Sequence, residues 1–279
     1  MISARNYAPS GRLLPFIRRH YIVEANLPED FCHEDFLMAD NGFVRVIQAG
    51  EWDWWHEGKW VAGSGALLFG PNSHLLKIRV RGPIAVTGFA FRPSAWTALF
   101  SAPATQHVDS ISPLGQSWSP ALVSQLCDAL AHAKKDAARI DALEATIDAQ
   151  LEAMGGKGID PVIATFESIA RQDSTTRVEE AARVLGLSPR QLERRCLASF
   201  GLSPKAVLQR CRFLDMAAAM RKLGNIDQTE LASLRYFDQS HLNREVRRYA
   251  GMTPGAFQKA NMPLFTESLK LREEGKTLA

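Results

Sequence analysis

Two clusters of side chains in this 279-residue chain have the chemistry to read the edges of nucleic-acid bases. The first is Arg190, Gln191, Arg194 and Arg195; the second is Gln239, Ser240, Asn243, Arg244, Arg247 and Arg248. A guanidinium donates two parallel hydrogen bonds to guanine O6 and N7, and a carboxamide pairs in the same way with adenine. Further cations along the same helix suit phosphate oxygens, which fix position without carrying sequence information. A solvated basic surface would have the same composition, so the distinction lies in the elements that hold these residues.

Those elements are written twice. In "AARVLGLSPRQLERRC" and "LASLRYFDQSHLNREV", Ser188 corresponds to Asp238, Leu192 to Leu242 and Arg194 to Arg244, each pair 50 residues apart. The pattern is that of a helix-turn-helix, whose second helix enters the major groove. In the first unit a supporting helix over 178–185 turns Ala181, Ala182 and Leu185 inward. Gly186 makes the turn, Leu187 plugs the core, Ser188 is the N-cap, and Pro189 takes the first helical position, where a missing N–H costs nothing. Leu192 and Cys196, four apart, face the core, which leaves Arg190 and Arg194 together near the N-terminal end that meets bases. Arg195 is assigned to phosphate.

Ser203 then caps a helix that begins at Pro204 and is expected to end at Gly224, roughly 20 residues or about 30 Å long. Successive major-groove faces lie about 34 Å apart, so such a connector suits two reading helices on one duplex. In the second unit Asp238 caps a helix with Leu242, Val246 and Tyr249 inward. Gln239, Ser240, Asn243 and Arg244 are left to bases, and Arg247 and Arg248 to the backbone. "GMTPGAF" at 251–257 then echoes "GLSPKAV" at 201–207.

At these residues the chain resembles the AraC/XylS family of bacterial transcription regulators over about 160–259, most specifically in "FDQSHLNREVRRYAGMTP". The resemblance implies a bipartite DNA-binding domain acting on double-stranded promoter DNA and on RNA polymerase, beside a domain that senses an effector or mediates dimerisation. The N-terminal half, with "LLFGPNSH" and "VTGFAFRPSAW", is similar in pattern to the cupin-like sensor domains of some members. Arg235 stands where family members carry glycine in the second turn, and the segment 230–238 is one residue short. Because arginine lacks glycine's tolerance of positive φ, an altered second turn is expected.

The expected fold is an α+β multidomain chain. It comprises a β-rich cupin-like barrel at 1–118, a helical pair at 119–156, an all-α tandem helix-turn-helix domain at 157–262 and a partly ordered tail at 263–279. All six tryptophans precede residue 119, among short runs such as "FVRVIQ", "ALLFG", "LLKIRV" and "IAVTGFAFR" bounded by turn residues. The stripes Leu122, Leu126, Leu130 and Ile140, Leu143, Ile147, Leu151 mark two amphipathic helices, which either cover the barrel or form a homodimer interface. "GGKGIDP" reads as the linker. Charge divides along the same boundaries: 13 Lys and Arg against 16 Asp and Glu up to residue 156, then 17 against 11 over 157–262. The excess cations therefore fall where phosphate binding requires them.

The four cysteines lack metal-knuckle spacing, and Cys196 reads as a core thiol. His20, His33, His56, His74 and His107 form no ligand motif, so no metal, cofactor or catalytic residue is assigned. A cupin-type metal enzyme fused to a nucleic-acid-binding module is the competing reading. The tryptophans, Phe69, Phe89 and Phe91 are either barrel core or the lining of an effector site. No signal peptide or membrane span is read, and a cytoplasmic protein is expected.

Overall fold

A computed structural model describes residues 3–223 and 239–277. Its N-terminal part is a seven-stranded antiparallel sheet of β1 (Ser3–Tyr7), β2 (Ile17–Ala25), β3 (Cys32–Leu37), β4 (Phe43–His56), β5 (Lys59–Phe69), β6 (Leu76–Phe91) and β7 (Ile111–Pro113). The strand order is β1-β2-β6-β4-β5-β7, and β3 pairs with β6. "LLKIRV" and "IAVTGFAFR" are thus not separate strands as their spacing suggests. They are two halves of β6, bent at Gly82 (φ 68°) and Pro83; the first half pairs with β3 and the second with β2. The bend is possible because β4 bulges opposite it at Gly50, where a Cβ would lie 2.2 Å from the Pro83 carbonyl oxygen. The β4–β5 hairpin closes on Glu57 and Gly58, both at positive φ, the conformation a two-residue type I′ turn requires.

The helices are α1 (Trp96–Leu99), α2 (Pro120–His132), α3 (Asp136–Ala153), α4 (Pro161–Gln172), α5 (Val178–Val184), α6 (Pro189–Phe200), α7 (Pro204–Met220), α8 (Gln239–Ala250), α9 (Pro254–Lys259) and α10 (Pro263–Thr277). Side-chain alternation gives the sheet two apolar faces. Val44, Val46, Leu68, Phe89 and Phe91 pack beneath Leu126 and Leu130 of α2 and Leu143 and Ile147 of α3. The two helical stripes therefore cover the sheet. The other face gathers Trp52, Leu67, Phe69, Ile78, Val80 and Val86 into a second core, and Phe89 and Phe91 are core residues rather than a ligand lining.

Three expectations are corrected. The connecting helix α7 has 17 residues and stops at Met220, about 26 Å at the usual rise, and the expected terminator Gly224 lies outside the described residues. The linker glycines Gly155 and Gly156 do take positive φ, but the junction is anchored: Asp160 N–H donates to the Ser94 carbonyl at 2.9 Å, and Ile159 packs on the first sheet core. Residues 263–277 are no loose tail. α10 lies against β3, its N–H groups at Leu264 and Phe265 donate to the buried Asp35 carboxylate at 2.7 and 3.4 Å, and Leu264 enters the second sheet core. The apolar spacing of Leu264, Phe265 and Leu269 is the reason, since each is buried.

Phe265→Ala should therefore cost about 3–5 kcal/mol of stability, read as a lower urea midpoint. An unchanged midpoint would mean that the C-terminal helix is not part of the folded core.

Candidate nucleic-acid interface

The first unit forms as its caps dictate. In α5, Ala181 and Ala182 are buried; Gly186 turns at φ 67°; and Ser188 accepts from the Gln191 N–H while the Gln191 carboxamide accepts from the Ser188 N–H, a complete capping box. Leu192 and Cys196 are buried, and burial pushes the Cys196 thiol pKa up, as an inert core thiol requires. Arg190 and Arg194 are exposed and make no ion pair among the described residues. Gln191, assigned to bases, already spends its carbonyl oxygen on the capping box, which leaves its amide nitrogen for other partners. Arg195 is half-buried and pairs at 2.7 Å with Asp160, the residue that caps α4.

In the second unit Val246 and Tyr249 of α8 are buried and Leu242 is half-buried, so the inward face is as expected. Burial pushes the Tyr249 phenol pKa up to about 12. Ser240, Arg244 and Arg247 are exposed, and Asn243 is half-buried. Arg248 is exposed but donates to the Gln209 side chain at 3.2 Å and lies over the Tyr249 ring. Gln239 opens the helix, with its side chain outside what the structure describes. The expected cap Asp238, Arg235 and the shortened turn at 230–238 also lie outside the described residues. α7 packs against both α6 and α8 and is their common support.

The echoed segments start alike and end differently. Ser203 and Thr253 each accept a backbone N–H three residues on, from Ala206 and Ala256 at 3.3 Å, and each is followed by proline. Gly201 and Gly251 both take left-handed φ, near 69° and 68°. A Cβ at Gly251 would meet open space, whereas at Gly201 it would sit 2.5 Å from Val108 and 2.9 Å from the Ala104 carbonyl oxygen. The first unit is thus pressed against the 3-10 turn Ala104–His107 of the β-rich part.

Sequence reasoning missed the residue that secures this docking. Arg210 of α7 is buried, donates to the carbonyls of Asp40 (2.9 Å) and Asn72 (3.3 Å), and also donates to the Asn41 side chain. Its signal was available: Val207, Cys211, Leu214 and Ala218 make an apolar helix face, and Arg210 lies on it. Around it Arg18 pairs with Glu167 and Asp40, and Arg272 of α10 pairs with Asp215 at 2.7 Å. Burial alone would raise the Asp40 pKa, but Arg18, Arg19 and Arg210 hold it below the usual carboxylate range.

The histidines weighed as ligands are dispersed. His20 is buried on Glu144, His33 lies near Asp35, His74 near Asp109, and His107 beside the Trp96 ring. Among the described residues no group of three or more His, Cys, Asp or Glu is gathered to hold a metal, and no helix is long and apolar enough to cross a membrane.

A capped helix α6 with exposed arginines above a buried apolar face, joined through α7 to a second amphipathic helix, α8, with exposed arginines, has the geometry of a helix-turn-helix DNA-binding domain beside a β-rich part. Residues 181–260 match the family of helix-turn-helix domains, and residues 5–113 match a family described only as a domain of unknown function, DUF6597. The C-terminal part of the chain thus carries a helix-turn-helix domain. No curated protein matches the chain at a significant level. Among solved structures the chain is similar to ToxT from Vibrio cholerae, at 9% identity over 92% of this chain and 97% of that one, with a TM-score of 0.47. It is also similar to the AraC-like activator CuxR, at 11% identity over 77% and 86%, TM-score 0.28. A Cupin_2 domain of an XRE family regulator from Enterobacter cloacae is similar at 15% identity over 32% and 93%, TM-score 0.22.

Alanine at Gly251 should cost about 1–2 kcal/mol for the left-handed backbone alone. At Gly201 a further 1–3 kcal/mol or so is expected for overpacking against Val108 and Ala104. Urea denaturation of the two variants compares them directly, and equal losses would deny the tight docking of the first unit.

Proposed function

We propose that this protein regulates transcription from the cytoplasm by laying α6 and α8 into two successive major grooves of one promoter site, and that it carries no catalytic step. The observation that carries this reading is the pair of exposed arginine faces, Arg190 with Arg194 and Arg244 with Arg247, on helices supported by the same buried α7. Arg190, Arg194, Asn243 and Arg244 are the base readers, joined by Gln191, Gln239 and Ser240 through their remaining hydrogen-bonding capacity. Arg247 and Arg248 contact phosphate. Arg195 joins them only by exchanging its contact with Asp160, so its contribution to affinity is the smallest of the set.

With α7 fixed on the β-rich part by Arg210, a change in that part is felt at both helices, which is how a small-molecule effector would act on DNA binding. Contact with RNA polymerase and self-association complete the proposal. Because the apolar stripes of α2 and α3 are spent on the sheet, a homodimer would use other surfaces. Selection of bound DNA from a random pool, followed by footprinting, tests the whole reading. Two protected major grooves one helical turn apart are expected, and binding without a preferred sequence would refute it.

Within the selected site, Arg194→Ala should weaken binding by about 1–3 kcal/mol and relax preference at one base position. Arg247→Ala should instead weaken all sequences alike and lower the salt slope by about one. Quantitative titration at several salt concentrations separates the two; interchanged behaviour would reverse the base and phosphate assignments.

A further inference from the structure

Arg195 differs from Arg190 and Arg194 in what holds it. Successive helical residues are turned about 100° from one another, so Arg195 leaves α6 on its flank, between the outward Arg194 and the buried Leu192 and Cys196. Its guanidinium donates to Asp160 Oδ2 at 2.7 Å, with the arginine side chain 40% exposed and the aspartate 21%. That leaves open surface from which a DNA phosphate oxygen can compete for the same donors.

The two carboxylate oxygens of Asp160 have separate tasks. Oδ1 accepts from the Val162 and Ile163 N–H groups at 3.0 and 3.3 Å and so caps α4, while Oδ2 is turned to Arg195. Capping needs an oxygen acceptor and no charge, since asparagine and serine cap as well as aspartate does. The negative charge is therefore not required by α4. It offers Arg195 what DNA would offer, an anionic oxygen at charge-assisted hydrogen-bond distance. The backbone of Asp160 is held from the other side: its N–H donates to the Ser94 carbonyl at 2.9 Å, in the 3-10 turn Pro93–Ala95 that packs against both α4 and α6. The anion that restrains Arg195 thus belongs to the junction with the β-rich part and not to the helix that reads bases.

We propose that Asp160 is an internal phosphate surrogate, which holds Arg195 away from DNA and lowers the affinity of α6 for every sequence alike. Binding then exchanges one ion pair for another. The contact discriminates no base, because a phosphate oxygen carries no sequence information. This role deepens the DNA-binding reading above and rests on it.

Wild type, Asp160→Asn, Arg195→Ala and the double variant are titrated against the selected operator and a scrambled duplex at several salt concentrations, and each is melted. Asp160→Asn keeps the cap and should bind both duplexes more tightly by about two- to fivefold, the range an exposed ion pair gives. Removing any negative charge favours DNA, so the decisive comparison is the cycle. In the Arg195→Ala background the same substitution should leave affinity nearly unchanged. Arg195→Ala should weaken binding more in Asp160→Asn than in wild type, and there lower the salt slope by about 0.9, the mark of one phosphate contact. Equal gains with and without Arg195 would reduce the effect to bulk charge and overturn the proposal. An unchanged salt slope, or no gain in a variant that melts at the wild-type temperature, would overturn it too. If Asp160→Asn melts lower, Asp160→Ser, which also caps, carries the same cycle; weaker binding in both would assign the carboxylate to the fold alone and overturn the surrogate. Wild-type protein that selects no sequence refutes the operator reading itself, whereas a selected operator without coupling between positions 160 and 195 refutes the surrogate only.

Discussion

A buried guanidinium must find acceptors, and Arg210 finds all of its own across a domain boundary. It sits on α7, the helix against which α6 and α8 both pack, and it bonds to Asp40, Asn41 and Asn72 of the β-rich part. Separating the two parts would break these bonds and expose to water the apolar face of α7 on which Arg210 lies. The ion pair of Arg18 with Glu167 and the Leu75 N–H to Tyr249 carbonyl bond at 2.8 Å cross the same seam. The position of α6 and α8 is therefore set by the β-rich part and not by the glycine linker between the two parts.

The duplicated sequence explains how one local grammar serves two ends. Glycine, an apolar residue, a hydroxyl cap and proline start α7 and α9 identically, because capping needs only atoms within three residues. Packing decides how far each helix runs beyond its cap. α7 extends for 17 residues with burial on nearly every side, whereas α9 stops after six and hands over to α10. Equivalent glycines diverge for the same reason: one borders solvent, and the other abuts a neighbouring turn.

Legibility in the sequence followed the range of the forces involved. The capping box at Ser188, the turn at Gly186, the inward Leu192 and Cys196 and the outward Arg190 and Arg194 are set within a dozen residues and were readable directly. The helix stripes on α2 and α3 were readable as apolar, but only the folded chain assigns them to the sheet. The unbroken β6 was hidden by Gly82-Pro83, since a local break signal cannot reveal a compensating bulge at Gly50 on another strand. Arg210 and Asp40 meet across 170 residues. The Arg195 pairing with Asp160 was likewise invisible, because both residues carried plausible local roles.

The return of α10 to the sheet bears on the order in which this molecule can be built. Leu264 and the α10 amides that meet Asp35 are made long after the sheet, yet they complete a core whose other buried members lie before residue 87. During synthesis that face of the sheet stays uncovered while the helical half is still being translated. The β-rich part thus reaches its finished form only once α10 has been made, so neither half matures independently of the other.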